Sequence, residues 1–291
     1  MLIGYGNYTM SFAITGQSGS GAAFLTTSSA LADGRTGTVT SIRWTDGTQN
    51  INSYVQITAT LTSPLDGTAK LGVAGVCNVI GLPVGTRLEI AGISQRLVYG
   101  ERRELSAWAL PGTSGSLVIR IYNDVNGAAT IAAAAEFAIG EIFAGRCISL
   151  CTLADSSPSD TLTDPTSSRR SEGGQLWPLM RKTYRSVAGT LGRFTTTEVK
   201  GGTASPIMDG GTVPAAIDIR TLRSLIATSK VVAVCDTPSA GQGAGTVVGG
   251  LRYDQNFMQT NWMVARPTNI GQISLDRWPM WSWPVQFQEA T

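Results

Sequence analysis

Histidine is absent from this 291-residue chain. It is the commonest general base near neutral pH and the commonest zinc ligand, so Ser-His-Asp and Cys-His nucleophilic sites and most zinc sites are excluded together. An enzyme built on this chain is left with carboxylate, Lys or Tyr chemistry. Charge is scarce as well: Asp, Glu, Lys and Arg make up 14% of the residues, against roughly 25% in an ordinary soluble protein. The net charge is +2, and the basic residues occur singly or in isolated pairs such as Arg102-Arg103, Arg169-Arg170 and Arg181-Lys182. No basic run is long enough to follow a phosphate backbone, which argues against nucleic-acid binding. Cysteine is limited to Cys77, Cys147, Cys151 and Cys235, with no C-x-x-C spacing. Buried free thiols are expected rather than a disulfide framework or a thiolate zinc site. Long apolar runs are missing too. Ile131–Ile142 is broken by Glu136 and Glu141, and Met1 to Ile14 has no basic segment ahead of an apolar one. Neither membrane insertion nor export by a signal peptide is expected.

Glycine, by contrast, is abundant: 34 residues of the 291, well above the usual ~7%. Many turn formers and few charges point to short strands and tight loops. Residues 36–62 alternate apolar and polar side chains in two bursts, Val39, Ile42 and Trp44, then Ile51, Tyr54, Val55, Ile57 and Leu61. Asp46-Gly47 lies between them and readily takes the positive φ of a hairpin turn, so a β-hairpin is expected there. Apolar runs recur at Leu71–Val79, Arg87–Ile93, Ser116–Tyr122 and Glu136–Ile142, near the 8–12-residue spacing of a sandwich.

The chain is longer than a typical domain of about 100–150 residues, and its pattern predicts an all-β protein of two sandwich or jelly-roll-like domains. Residues 1–145 read as one antiparallel sandwich. Residues 146–175 turn to Ser, Thr, Asp, Pro and Gly, with Leu162 almost the sole apolar side chain between 154 and 175, and read as a long loop or linker. Residues 176–291 read as a second β-rich domain. Strands are expected at Leu176–Val187 and Leu191–Val199. One short helix is expected near 218–229, capped by Asp218, with Ile219, Leu222, Leu225 and Ile226 on one face and Arg220 and Arg223 outside.

Several stretches carry candidate sites. Val231–Gly245 leads a buried strand into Gly241, Gly243 and Gly245, but Thr246 and the apolar run after it replace the helix that a dinucleotide site opens. No G-x-x-x-x-G-K-[ST] occurs, and no cofactor is expected. Asp155, Asp160 and Asp164 lack the glycine and glutamate of an EF-hand, so a solvated loop is expected instead of a metal site. Asp33-Gly34-Arg35 reads either as a turn, Asp accepting local backbone bonds and Gly supplying the unusual dihedral, or as a rim loop in which Asp33 and Arg35 meet a sugar or a neighbouring subunit. At the other end Trp281, Trp283, Val285 and Phe287 alternate along one strand face. Pro279 and Pro284 place that strand at a sheet edge. Its aromatics read as core or, with Trp278, as a candidate subunit interface formed by Trp278, Trp281, Trp283 and Phe287.

Two stretches carry a family resemblance. Ser29-Ala30-Leu31-Ala32-Asp33-Gly34-Arg35-Thr36-Gly37-Thr38-Val39 through Trp44, followed by Tyr54–Leu61, resembles the opening of galactose-binding-like, discoidin-type jelly rolls, where a Leu-x-Asp-Gly loop precedes a Thr-rich strand. Such jelly rolls are often fused into the tail proteins of tailed phages. The layout of Ile139-Gly140-Glu141-Ile142-Phe143-Ala144-Gly145, Ser171-Glu172-Gly173-Gly174-Gln175-Leu176-Trp177, the 181–185 strand and the terminal run ending Phe287-Gln288-Glu289 is similar to tail-tip proteins of long-tailed phages, including distal-tail-like ring subunits. The resemblance implies a non-enzymatic virion part, assembled in the host cytoplasm. It would form a homo-oligomeric ring, three- or six-fold, that joins tail tube to distal hub and meets fibre proteins, with the jelly roll facing outward. Beyond Asp33 and Arg35 no sugar-binding position can be placed, so glycan binding is not carried over. The alternative expectation is a receptor-recognition module for a cell-surface glycan, using the 33–35 loop and Trp108.

Overall fold

A computed structural model describes residues 2–5, 9–16, 21–35, 37–45, 50–63, 71–97, 105–109, 116–132, 134–149, 159–170, 176–179, 183–194, 196, 199, 219–228, 232–235, 246–248, 251–253, 262–277 and 280–289. The described residues are mostly β-strand, as an all-β fold requires, with an α-helix at Ile219–Thr228 and helical conformation also at Thr196 and Val199. Its first strands are β1 (Leu2–Tyr5), β2 (Thr9–Gly16), β3 (Gly21–Phe24), β4 (Thr40–Thr45), β5 (Tyr54–Ser63), β6 (Val73–Cys77), β7 (Thr86–Ile90) and β8 (Ile93–Arg96). There follow β9 (Leu105–Ala109), β10 (Ser116–Val125), β11 (Glu136–Ile139), β12 (Glu141–Ser149), β13 (Ser159–Thr163), β14 (Ser167–Arg170), β15 (Leu176–Leu179) and β16 (Tyr184–Phe194). After helix α1 (Ile219–Thr228) come β17 (Val232–Cys235), β18 (Thr246–Val248), β19 (Leu251–Tyr253), β20 (Trp262–Ile270), β21 (Ser274–Arg277) and β22 (Met280–Glu289).

The first half follows the two-residue period. A five-stranded antiparallel sheet, β2-β5-β10-β7-β8, buries Val55, Ile57 and Ala59 of β5, Leu88 and Ile90 of β7, and Leu117, Ile119 and Ile121 of β10. Alternate residues of the same strands face outward, as the pleat requires. A three-stranded sheet, β11-β4-β3, adds Ile42, Trp44 and Phe137 to the same core. The turn from β7 to β8 is Ala91-Gly92, with φ of 49° and 84°. Positive φ at both positions is the type I′ geometry that matches strand twist.

A ten-stranded antiparallel sheet, β13-β16-β22-β20-β17-β1-β12-β6-β9 with β21 beside β22, takes strands from both halves of the chain. β1 lies between β12 and β17, pairing Ile3 with Ile148 on one side and with Val234 on the other. β6 is buried along its whole length. Its Ala74 and Val76 belong to the core of the first half, while Val73 and Cys77 belong to a second core. β12 divides in the same way, Ile142 and Ala144 to the first core and Phe143 to the second. These strands form a wall with a core on each face, which is why Val73–Cys77 of the Leu71–Val79 run reads as continuously apolar and not as alternating. The second core is filled from β16, β17, β20 and β22 and from Ile219, Leu222 and Ile226 of α1. The helix takes the expected face and range, its candidate cap Asp218 lying outside the described residues.

Four expectations change. β4 and β5 do not form a hairpin: β4 pairs with β3 and β11, and β5 with β2 and β10. Both bury alternate residues in one core, and alternation alone cannot separate neighbours in a sheet from strands in facing sheets. The described parts of residues 146–175 are strands and not loop: β12 runs to Ser149, β13 pairs with β16, and β14 pairs with β15. A Ser/Thr-rich strand at the end of a sheet needs little apolar side chain, so its composition reads as loop. Likewise, the break expected between Val187 and Leu191 is absent, since β16 runs through it.

The fourth change concerns the terminal strand. β22 is internal, pairing with β16 on one side and with β20 and β21 on the other. Pro284 faces Thr190 of β16 where the opposite partner changes from β20, which ends at Ile270, to β21, which begins at Ser274. At that break the Gly271 N–H donates to the Pro284 carbonyl at 2.9 Å. A proline at a ladder irregularity forfeits no bond that a regular strand would make. Gly271 is the matching requirement, because a Cβ there would run into the Pro284 ring.

Candidate functional site

The 33–35 loop is a fixed turn. It leaves a 3-10 turn at Ser28–Ala32, whose Leu31 is buried, and the Asp33 Oδ1 accepts the Arg35 N–H at 2.8 Å. Gly34 has φ 77°, the left-handed conformation that glycine takes without a Cβ clash. Two distant strands hold it. Its N–H donates to Glu141 Oε2 of β12 at 3.1 Å, and its carbonyl accepts from Arg266 Nη2 of β20 at 3.4 Å. Gly34 is buried, Asp33 half-buried and Arg35 exposed. The Asp33 carboxylate thus works locally, as the turn reading has it, and Arg35 is the loop's outward group.

Glu141 is the residue that sequence reasoning missed. In the sequence it stands as a charge that breaks an apolar stretch. In the fold it is a fully buried carboxylate on the wall between the cores, anchoring a backbone N–H 107 residues away. A buried charge is retained where hydrogen bonds replace its lost hydration, so a lone Glu in a run covered on both faces was the signal.

The second candidate is the outer face of the five-stranded sheet. Tyr54 and Tyr122 face each other across β5 and β10, their rings edge to face at 5.3 Å. The Arg87 guanidinium lies 3.8 Å from the centre of the Tyr122 ring and that of Arg120 lies 5.1 Å from the Tyr54 ring, both within cation–π range. Arg120 also donates to Gln56 at 2.9 Å and to Glu89 at 2.8 Å, while Tyr122 donates to Glu89 at 3.0 Å. Beside them Asp124 takes both Arg96 Nη groups, at 2.8 and 3.3 Å, together with the Gly127 N–H at 2.8 Å and the Arg87 charge at 3.4 Å.

These partners set the protonation states. The Arg96 hydrogen bond foremost, with Gly127 and Arg87 behind it, holds the Asp124 carboxyl below the usual range against the opposing effect of its burial. Burial foremost, then the bond to Glu89, raises the Tyr122 phenol. Both groups are therefore locked far from neutral titration, and guanidinium groups already occupy ring faces that a stacking sugar would need. The network braces the sheet surface.

The aromatic strand keeps its predicted face, and Trp283 and Phe287 follow the core reading, not the interface one. Trp283 and Phe287 are fully buried in the chain's own core and have no surface to offer a partner subunit. Trp281 is half-buried, and its Nε1 donates to Thr196 Oγ1 at 3.1 Å. Trp278 and Asp155 lie outside the described residues, as does the side chain of Trp108 on β9. Asp164 Oδ1 accepts the Thr166 N–H at 2.9 Å, another local turn. Among the described residues no group of three or more Cys, Asp or Glu is placed to hold a metal, and no helix is long and apolar enough to cross a membrane. Residues 236–245 lie outside the described residues, and after them the chain enters β18, paired with β19, a strand where a dinucleotide site would open a helix.

No protein-family model, curated protein or solved structure matches the chain. Its reading therefore rests on its own residues.

Proposed function

We propose that the chain is a non-enzymatic structural component of a bacteriophage tail tip, an oligomeric ring subunit that connects tail tube to distal hub within the virion. The observation that carries this reading is the wall of β6 and β12, which has a packed core on each face and belongs to a sheet drawn from both halves of the chain. Two cores that share strands cannot hinge against each other without breaking ladder bonds, and a stiff block of this kind suits a part that transmits load through its surfaces. The sparse charge and the Ser/Thr-rich strand ends suit broad polar contacts between identical subunits. Native mass measurement and electron microscopy of the purified chain test the proposal. Rings of three or six copies are expected, and a monomer at every concentration would sink it.

A second reading, a receptor module for a cell-surface glycan, draws on the 33–35 loop. Glu141 and Arg266 hold that loop in one shape, and a preformed loop loses less entropy on binding than a loose one. Its test is a glycan array on which binding disappears with Arg35→Ala. An array without signal removes the reading.

A further inference from the structure

We infer that two copies of this chain associate through the outer edge formed by β13 and β14, residues 159–170, antiparallel to one another across a twofold axis. The inference rests on the assembly reading above but on no particular ring symmetry. Its starting point is register. β13 pairs with β16 as far as Thr163↔Tyr184, and β14 pairs with β15 from Ser167↔Leu179. Between those pairs one chain advances four residues (163 to 167) and the other five (184 to 179). A one-residue offset is what a bulge leaves between two ladders, so β13 and β14, in separate ladders among the described residues, follow one another along one edge with the interruption at 164–166.

Among the described residues the outer edge of β13 and β14 carries no further strand. β13 is the last strand of the ten-stranded sheet, and β14 pairs with β15 alone among the described residues. A two-stranded ribbon is marginal by itself in water, and an open edge offers backbone donors and acceptors to a further strand. Natural edges are protected by lysine, proline, bulges, charges turned inward or covering segments, and here Pro165 and the bulge protect only the middle of the edge. This one exposes Leu162 at 55%.

Charge chooses the occupant and its direction. The outer edge reads Ser159-Asp160-Thr161-Leu162-Thr163-Asp164-Pro165-Thr166-Ser167-Ser168-Arg169-Arg170, acidic in its first part and basic at its end. Asp164 and Arg170 are both exposed. A second copy laid parallel would set acid on acid and base on base. Laid antiparallel, it sets the acidic part of each strand against the basic end of the other, twice over by symmetry. Pro165, which donates no hydrogen bond, falls near the middle, where the ladder is already interrupted. The surface is thus complementary to itself, which is what an isologous contact demands.

Two charge-reversed forms of the full chain test this by light scattering across a concentration series. Asp160→Arg with Asp164→Arg makes the strand wholly basic, and Arg169→Glu with Arg170→Glu makes it wholly acidic. Each form alone should associate roughly tenfold or more weakly than the original, since several weak ion pairs turn repulsive at once. Their equimolar mixture should recover association, which a misfolded variant would not do. Self-association of the unaltered chain should also weaken with added salt, because exposed pairs are screened. If the unaltered chain associates but neither variant changes it, or if salt has no effect, the edge contact is overturned while the assembly reading stands. A chain that is monomeric throughout overturns both, and association only with a different protein overturns the self-contact.

Discussion

The two cores of this chain lie on opposite faces of the same wall, and they are filled differently. The first has sheets on both sides and is aliphatic, with Trp44 and Phe137 its aromatic members. The second carries Tyr5, Phe143, Phe194, Trp262, Trp283 and Phe287. Sheets that face each other about 10 Å apart are well filled by branched aliphatic residues that interdigitate. Opposite the second core the described cover is the ten-residue helix α1 with Val199, a narrow lid, and large rings are needed to close the space beneath it. The difference teaches that stability should be concentrated in a few rings on one side and spread over many methyl groups on the other. The largest expected effect follows. Trp283→Ala, which empties the second core, should destabilise by about 3–5 kcal/mol, whereas Ile119→Val in the first should cost about 0.5–1.5 kcal/mol. Denaturant unfolding checks both values. Because the wall belongs to both cores, a single transition is expected, and two separate transitions would break the comparison.

The wall supplies the next test. Gly145 lies on β12, and a Cβ there would stand 2.6 Å from the Tyr5 carbonyl oxygen and 3.0 Å from the Phe143 ring. The backbone contact cannot swing aside as a side chain tip does. Gly145→Ala should therefore push β1 off β12 at the place where the first half of the sheet meets the second, a destabilisation of about 1–3 kcal/mol as for other overpacked sites. Amide hydrogen exchange sharpens the point: protection should fall on β1 and on its other neighbour β17, and a loss confined to β12 would show that the wall couples the cores weakly.

Much of this architecture was legible in the residues, because burial on one face leaves a two-residue period and burial on two faces leaves none. Val55, Ile57 and Ala59 show the first pattern, Val73 to Cys77 the second, and Ile219, Leu222 and Ile226 the helical one. Partnership between strands was not legible. Nothing in Trp44 or Val55 says that β4 and β5 belong to different sheets, since the pleat records which way a side chain points and not which strand lies beside it. Pro284 misled for a related reason. Its missing N–H excludes a regular ladder, yet the handover from β20 to β21 supplies an irregular one inside the sheet. Of the candidate site, the Asp33-Gly34 turn could be read from residue type alone, but its anchors Glu141 and Arg266 lie 107 and 232 residues from Gly34, beyond the reach of local pattern.

A smaller effect separates the surface bracing from the cores. Asp124→Asn removes the charge that gathers Arg96 and Arg87 and should destabilise by about 1–2 kcal/mol. Its pH dependence has a definite sign. An unfolded aspartate titrates near roughly 3.9, and the folded Asp124 lies lower because of Arg96. The stabilisation is therefore present above about pH 4 and is lost as pH falls toward the folded value. Unfolding measured across that acid range should converge for the original chain and Asp124→Asn. Core variants such as Trp283→Ala should keep their full deficit there.

The smallest expected change runs in the opposite direction and tests the turn chemistry of the first half. Ala91 holds φ 49° at the first central position of the β7–β8 turn, beside Gly92 at 84°. An L side chain in the left-handed region costs about 1–2 kcal/mol, while the extra freedom of a glycine in the unfolded chain takes back about 0.4–1 kcal/mol. Ala91→Gly should thus be neutral to stabilising, by up to about 1 kcal/mol after that offset. Part of the gain is returned because Ala91 packs on the first core, so Ala91→Asn, which tolerates the same φ, is the companion variant. A raised midpoint in thermal unfolding for either would place the strain in the turn. A lowered midpoint for both would mean that the methyl group contributes more to the aliphatic core than its dihedral takes away, and the first core would then depend on single contacts more than its spread of small side chains implies.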